Sequence, residues 1–193
     1  MDKCRPSSDT EGQMGDFWVF GYGSLMWRPG FVHEAAVRAR VSGFRRALCV
    51  RSRWHRGTPE REGLVLGLDR GGACVGVAFR VANDEREGVV AYLRERELVT
   101  NVYLERTVPV RLATGESVSA LTYVVDRTHP QYAGQLDPAE AAATVRSAVG
   151  HSGANPDYVL SAVAHLAALG IRDRWLEEVA DRLNRAPEAR LGA

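Results

Sequence analysis

The chain has 193 residues, of which 45% are hydrophobic and 25% are charged, and its formal net charge is +1. These values are ordinary for a globular domain, and a nearly neutral chain has no global electrostatic attraction to nucleic acids or membranes. The three cysteines are too few and too far apart for a disulfide framework or a zinc site: Cys4, Cys49 and Cys74. We therefore expect a cytoplasmic protein without a metal.

The N-terminal segment is polar. Residues 1–15 contain no apolar core of the kind that a secretory signal has, and no run of the sequence approaches the roughly 18 apolar residues of a membrane span. We expect a flexible tail over residues 1–15, one domain over residues 16–185 and a second tail over residues 186–193. We expect this domain to be a monomer with no membrane partner.

The first strongly patterned stretch runs from Phe17 to Trp27, with the sequence FWVFGYGSLMW. Its four leading apolar residues predict a strand that is buried on both faces. The Gly21-Tyr22-Gly23-Ser24 segment that follows lets the backbone turn sharply and lets an anion approach the main-chain N–H groups. The same pattern is typical of an ordinary turn at a strand end, so these residues alone leave both interpretations open.

Several strands are predicted in the next part of the chain. Apolar runs and apolar-polar alternation place them at residues 37–41, 44–50, 63–68 and 73–81, with a hairpin turn at 69–72. Gly76 indicates a bulge or a close backbone approach within the last of them.

Seven arginines lie between Arg38 and Arg56. Strand alternation places most of them at outward, solvated positions. A nucleic-acid patch is the alternative, but the aromatic residues that stack on single-stranded bases are not interleaved with these arginines.

A helix is predicted after the cap candidates Asn83 and Asp84. Val90, Leu93 and Glu97 are spaced three and four apart, which places the Glu97 carboxylate on the apolar stripe of this helix. A carboxylate on a buried stripe is either paired or functional. Arg94 or a strand arginine would satisfy a structural role, so the pattern leaves a structural and a catalytic role open.

The remaining chain predicts a hairpin and then three helices. The hairpin joins strands at 102–112 and 117–125, and the helices follow Asp137-Pro138, follow Asn155-Pro156 and cover 172–183. Asp137 and Glu140 are predicted to form a capping box at the start of the first of these helices. Strands in the first two-thirds and helices in the last third indicate an α+β fold with a mostly antiparallel sheet that curls into a barrel. The five histidines are scattered without ligand spacing, and the sequence contains neither a G-x-S-x-G motif nor a P-loop.

Several motifs, in this order, resemble the ChaC-like γ-glutamylcyclotransferases, which act on glutathione. They are VFGYGSL at 19–25, RGTPE at 56–60, GVAFR at 76–80, YL at 92–93 with RE at 96–97, and HPQYAG at 129–134. The resemblance covers the chain from Phe17 to about Leu183. It implies a mixed β-barrel flanked by helices.

The resemblance also implies an activity and a site. The activity is cleavage of glutathione to 5-oxoproline and Cys-Gly, by attack of the α-amine on the γ-carbonyl and without a cofactor. Glu97 matches the catalytic glutamate, which acts as general acid and base. The implied substrate-binding residues are Val19, Phe20, Gly21, Tyr22, Gly23, Ser24, Leu25 and Tyr132.

Three other functions remain open from the sequence. The same ring closure can act on another γ-glutamyl compound, such as a γ-glutamylamine or a dipeptide. The Gly-rich turn can instead belong to a non-catalytic module that holds a small anion. The arginines leave a nucleic-acid binder as the third alternative, although we expect a small-molecule substrate and no nucleic acid.

Overall fold

The computed structural model describes residues 16–185, so the tails predicted over residues 1–15 and 186–193 lie outside the described residues. Seven strands and four helices follow one another in the described range. They are β1 (Phe17–Gly21), β2 (Ala35–Ser52), β3 (Gly63–Val81), α1 (Arg86–Glu97), β4 (Tyr103–Leu112), β5 (Ser117–Val125), α2 (Pro138–Arg146), β6 (Val149–Gly150), β7 (Gly153–Ala154), α3 (Asn155–Ala168) and α4 (Arg174–Asn184).

Five strands form a closed barrel in the order β1-β3-β2-β4-β5. The pairings are antiparallel except the one that closes the barrel, where β1 lies parallel to β5 with Val19 opposite Leu121. β6 and β7 form a separate small hairpin. The predicted α+β fold with a mixed barrel and a helical C-terminal third is therefore confirmed.

The hairpin predicted at residues 69–72 is wrong. β2 and β3 are each one long strand, and they pair along their whole length from Ala35 opposite Arg80 to Ser52 opposite Gly63. Gly43 on β2 and the Gly71-Gly72 pair on β3 lie opposite each other at a bulge, and all three have positive φ. These glycines bend the paired strands together instead of reversing the chain.

The close approach predicted at Gly76 is present. A Cβ atom at this position would overlap the carbonyl oxygen of Gly21 at the end of β1. The pairing register continues through Gly76 opposite Ala39, so the glycine serves packing between strands and is not at a bulge.

Two predicted helix starts differ from the structure. α1 begins at Arg86, and Glu85 occupies the N-cap position that Asn83 and Asp84 were predicted to fill. α3 begins at Asn155 itself, after Ala154 at the N-cap. The capping box predicted for α2 is confirmed.

The hydrophobic core includes one cluster within the barrel, one beneath α1 and one beneath α2, α3 and α4. Phe20, Val41 and Leu68 belong to the cluster within the barrel, whereas Leu93 of α1 packs in a second cluster with Val19. α2, α3 and α4 pack on the other side through Val145, Val159, Leu176 and their neighbours. Within residues 16–185, none of the helices combines the length and apolar character needed to cross a bilayer.

Side chains complete one edge of β3. The Leu64 N–H donates to Asn155 Oδ1 at 2.7 Å, and Asn155 Nδ2 donates to the Leu64 carbonyl at 2.8 Å. Asn155 is fully buried, so its amide takes the place of a neighbouring strand. This long-range role explains why Asn155 is not the cap of α3.

We predict that Asn155→Ala destabilises the protein. The substitution leaves both backbone groups of Leu64 without these partners in a buried position, at a cost of roughly 1–3 kcal/mol for each group. The free energy of unfolding, measured with denaturant, checks this. Asn184→Ala, which truncates an exposed asparagine at the end of α4, is the control. A change within about 0.5 kcal/mol for Asn155→Ala, the range of surface substitutions, would contradict the prediction.

Candidate active site

The chain turns sharply where β1 ends. Ser24–Met26 forms one turn of 3-10 helix, in which Met26 N–H donates to the Gly23 carbonyl at 2.9 Å. Trp27 and Arg28 donate to the Ser24 carbonyl. The hydrogen bonds of this turn therefore use N–H groups from Met26 onward, and those of Tyr22 to Leu25 remain outside that pattern.

A buried arginine holds the turn from below. Arg46 Nε donates to the Tyr22 carbonyl at 2.5 Å, Nη2 donates to the Val75 carbonyl at 2.7 Å, and Nη1 contacts Asp173 Oδ2 at 3.0 Å. The Arg46 side chain is 3% exposed, so it is not one of the solvated strand arginines predicted from the sequence. Its three partners join the turn, β3 and the start of α4.

A cavity of about 480 Å³ opens beside this turn. Its volume is in the range of small-molecule sites. It is lined by the turn residues Tyr22, Gly23, Ser24 and Leu25, by Arg96 and Glu97 from the end of α1, and by Tyr103, Tyr123 and Tyr158. A second cavity, of about 340 Å³, is lined by Arg46, Asp173 and residues around them. The first is the candidate active site because it combines the turn with a carboxyl whose pKa is perturbed.

Glu97 lies in a mostly desolvated position, with 18% of its side chain exposed. Burial raises the pKa of its carboxyl, and the charge of Arg96 opposes this with a smaller effect, so the net direction is upward. The Arg96 Nε atom lies 3.3 Å from Glu97 Oε1. Arg94, the partner considered from the sequence, instead contacts Glu105 at 2.7 Å.

Arg96 links α1 to the turn. Its Nη2 donates to Ser24 Oγ at 2.9 Å, and its Nη1 donates to the Arg28 carbonyl at 2.7 Å and the Tyr92 hydroxyl at 2.9 Å. The same guanidinium therefore contacts the turn and the Glu97 carboxylate. This arrangement fixes the carboxylate relative to the turn.

Two tyrosines in the cavity wall are held by one residue of β3. The Tyr103 hydroxyl donates to the Leu66 carbonyl at 2.8 Å, and the Leu66 N–H donates to the Tyr158 hydroxyl at 3.1 Å. Burial raises the pKa of Tyr103 well above its usual value and that of Tyr158 to about 12. Both phenols are therefore neutral hydrogen-bonding groups near neutral pH.

The structure brings only part of the predicted site together. Tyr22 to Leu25 and Glu97 line one cavity. Val19 and Phe20 are fully buried in β1, and with Gly21 they position the turn from behind. The Tyr132 hydroxyl lies 3.3 Å from Asp69 Oδ2, and Tyr132 is not among the residues that line the cavity, so its substrate contact stays a prediction.

Arg96, Tyr103 and Tyr158 line the site although they were not predicted as site residues from the sequence. Arg96 adjoins Glu97 in the RE motif, which is a local signal for it. Tyr103 and Tyr158 lie on β4 and α3, and the fold brings them to the same point of β3. Within residues 16–185, no group of three or more His, Cys, Asp or Glu side chains is placed to hold a metal ion.

The raised pKa of Glu97 predicts how its replacement affects stability. Between the unfolded value, about 4.3, and the higher folded value, the folded state binds more protons. The contribution of Glu97 to stability is therefore lost as the pH rises through this window. Glu97→Gln keeps the neutral shape, so its stability relative to the parent should increase as the pH rises.

Denaturant unfolding of Glu97→Gln and the parent, from about pH 4 to pH 8, measures this difference. Glu95→Gln removes an exposed carboxylate from the same helix and is the control. A difference between Glu97→Gln and the parent that is constant across this pH range, or that favours the parent at the higher pH, would contradict the prediction.

Comparison with known proteins places this chain. Residues 17–186 match the family described as ChaC-like protein. The "Glutathione-specific gamma-glutamylcyclotransferase" of Escherichia coli (strain K12) is 33% identical over 176 residues, which cover 91% of this chain and 74% of that protein. The "Glutathione-specific gamma-glutamylcyclotransferase 1" of Homo sapiens is 33% identical over 183 residues, which cover 91% and 81%.

A solved structure has the same fold. The crystal structure of a gamma-glutamylcyclotransferase specific to glutathione from yeast aligns with a TM-score of 0.78 and 22% sequence identity. The alignment covers 88% of this chain and 98% of that one. The family match spans nearly all of the described residues, and the barrel and helices align with the yeast structure. The chain therefore belongs to the ChaC-like protein family.

Proposed function

We propose that this protein is a γ-glutamylcyclotransferase that cleaves glutathione to 5-oxoproline and Cys-Gly. The observation that carries the proposal is the position of Glu97, a largely buried carboxyl of raised pKa in one cavity with the Tyr22–Leu25 turn. Membership of the ChaC-like protein family and the similarity to two glutathione-specific γ-glutamylcyclotransferases support this choice of substrate. We further propose that the enzyme acts as a monomer in the cytoplasm.

The reaction is an intramolecular ring closure. The α-amine nitrogen of the γ-glutamyl group attacks the γ-carbonyl carbon, and a new C–N bond closes a five-membered lactam. The original amide C–N bond then breaks, and its nitrogen leaves as the amine of Cys-Gly. Holding the two reacting atoms together can contribute ~7–11 kcal/mol, so the folded shape of the bound substrate supplies much of the rate.

Glu97 transfers the proton in this proposal. It takes a proton from the substrate ammonium and returns it to the leaving nitrogen. The second proton, which the attacking nitrogen loses on ring closure, passes to the same leaving amine, so Cys-Gly departs as an ammonium. An ordinary glutamate, with a pKa of ~4.3, is a poor base for an α-amine of ~7.7–8.0, since this gap costs about 5 kcal/mol. Burial of Glu97 narrows the gap, because it raises the pKa of the carboxyl.

The turn binds the γ-glutamyl group. N–H groups between Tyr22 and Leu25 hold the α-carboxylate or the oxygen that becomes negative during attack. Arg96 fixes the position of the Glu97 carboxylate relative to the turn, because its guanidinium contacts both Ser24 and Glu97. Three other predicted residues, Val19, Phe20 and Gly21, act by fixing the end of β1, and the substrate contact of Tyr132 remains a prediction.

We predict that Glu97→Gln loses activity. The amide keeps the shape of the side chain and removes the base, so kcat with glutathione should fall by roughly 10²–10⁴-fold. Release of 5-oxoproline and Cys-Gly, quantified by mass spectrometry, is the measurement. Glu95→Gln, an exposed neighbour on α1, should retain the parent rate. Equal rates for the parent and Glu97→Gln would remove Glu97 as the base.

A second prediction concerns the pH dependence of kcat/KM. The acid limb should report the deprotonation of Glu97 and lie above the usual value of about 4.3. The Arg96 charge lowers the Glu97 pKa, so Arg96→Gln should move this limb to higher pH. The measured quantity is the midpoint of the limb, because the rate itself also depends on the turn.

Arg94→Gln is the matched control for this experiment. Arg94 lies on the same helix, is exposed and contacts Glu105. It should therefore leave the midpoint in place. If Arg96→Gln and Arg94→Gln give the same midpoint, the acid limb does not belong to Glu97.

A further inference from the structure

Arg56 lies in the wall of the same cavity, in the connection between β2 and β3. Its Nη1 atom donates to the carbonyl of Ser152 at 2.6 Å and to that of Ala154 at 3.3 Å. Its guanidinium carbon lies 5.2 Å from the centre of the Tyr158 ring. Both hydrogen bonds of the guanidinium use Nη1, so within residues 16–185 the donors Nε and Nη2 remain for a ligand.

Arg56 also lacks a carboxylate partner among the described residues. Its neighbours Arg51 and Arg53 both contact Glu62, at 3.0 and 2.5 Å. Arg56 is half-buried, and its polar partners are neutral carbonyl groups. A partly desolvated guanidinium in this setting binds a carboxylate strongly, because two parallel N–H donors match its two oxygens.

The segment around Arg56 is held in place before any ligand binds. His151 N–H donates to the Trp54 carbonyl at 2.8 Å, and Ser152 N–H donates to the His55 carbonyl at 2.9 Å. A Cβ atom at Gly150 would overlap the Trp54 carbonyl and the Gly57 nitrogen, so the two backbones pack directly against each other. Such preorganisation lowers the entropy cost of binding.

Glutathione has two carboxylates, and the position of Arg56 relative to Glu97 indicates which of them Arg56 can bind. Glu97 must contact the substrate α-amine, and the α-carboxylate is bonded to the same carbon, so both lie at the Glu97 end. Arg56 lies in the connection between β2 and β3, and its polar contacts are with Ser52, Ser152 and Ala154. The Tyr158 ring lies under the Arg56 guanidinium, its hydroxyl accepts from the Leu66 N–H, and the residue lines the same cavity as Arg56 and Glu97.

We propose that Arg56 is a specificity residue that binds the C-terminal carboxylate of the leaving dipeptide, the glycine carboxylate of glutathione. This inference rests on the proposed function. It assigns the far end of the cavity to γ-glutamyl peptides with a free terminal carboxylate. γ-Glutamylamines and peptides with a blocked C-terminus lack the group that Arg56 recognises.

The test compares glutathione with its glycine-carboxamide analogue, which differs only in the terminal charge. The parent enzyme should prefer glutathione in kcat/KM by about tenfold or more, as expected for hydrogen bonds to a charged group. Arg56→Met keeps the apolar stem and removes the charge. It should lower kcat/KM for glutathione through KM, leave the carboxamide almost unaffected and bring the ratio of the two close to one.

Arg61→Met is the matched control, because Arg61 lies in the same connection, is exposed and is outside the cavity lining. It should keep the parent ratio. Arg56→Lys retains the charge without the planar pair of donors, so it should give an intermediate ratio. If Arg56→Met does not fold, the ratio for Arg56→Lys takes its place in the test.

Two results would overturn the inference while leaving the proposed function in place. One is a parent enzyme that releases 5-oxoproline equally well from both substrates. The other is an Arg56→Met variant that loses activity equally on both, as it would if Arg56 bound the α-carboxylate or only supported the β6–β7 hairpin. Absence of 5-oxoproline from both substrates with the parent would instead overturn the proposed function, and this inference with it.

Discussion

The site depends on how one edge of β3 is satisfied. Among the described strands, the first part of β3 pairs with β2 on one side only, so the backbone groups of Leu64 and Leu66 need other partners. Asn155, Tyr103 and Tyr158 provide them. Because the two phenols also line the cavity, the hydrogen bonds that complete the sheet determine where the cavity wall stands.

The turn after β1 is fixed by two arginines that use different parts of it. Arg46 donates a hydrogen bond to the Tyr22 carbonyl from the buried side, whereas Arg96 donates to the Ser24 hydroxyl from the side of α1. The Tyr22 carbonyl and the Ser24 hydroxyl are therefore occupied by protein donors. Its N–H groups are the part left for an anionic or partly negative ligand atom, which is the polarity that ring closure at a carbonyl requires.

Local signals predicted much of the fold from the sequence. The capping box of Asp137 and Glu140 and the β4–β5 hairpin depend on neighbouring residues, and both are present. The prediction failed where partners are distant in the sequence. The Gly71-Gly72 pair is typical of a hairpin turn in a sequence. In the structure it lies opposite Gly43, and the three glycines let both strands bend together and continue. Asn155 is a residue type that often caps a helix, but here its side-chain amide accepts a hydrogen bond from the backbone of Leu64.

The same distinction applies to the site. Glu97 was identified as a candidate because helical spacing places it on an apolar stripe, and its low exposure agrees with this pattern. Tyr103 lies on β4, Tyr158 on α3 and Arg56 in the connection between β2 and β3. These residues meet only through the fold, so no spacing in the sequence relates them.

The charges of these assembled residues match a substrate with an ammonium and two carboxylates. Glu97 and the N–H groups of the turn suit the amine and the α-carboxylate, and Arg56 offers a cation without a protein counter-ion in the described chain for the other end. A γ-glutamyl group alone satisfies the first set and leaves the Arg56 charge unpaired. In the role proposed for Arg56, a peptide is selected over a simple γ-glutamylamine because only the peptide supplies a carboxylate for this half-buried cation.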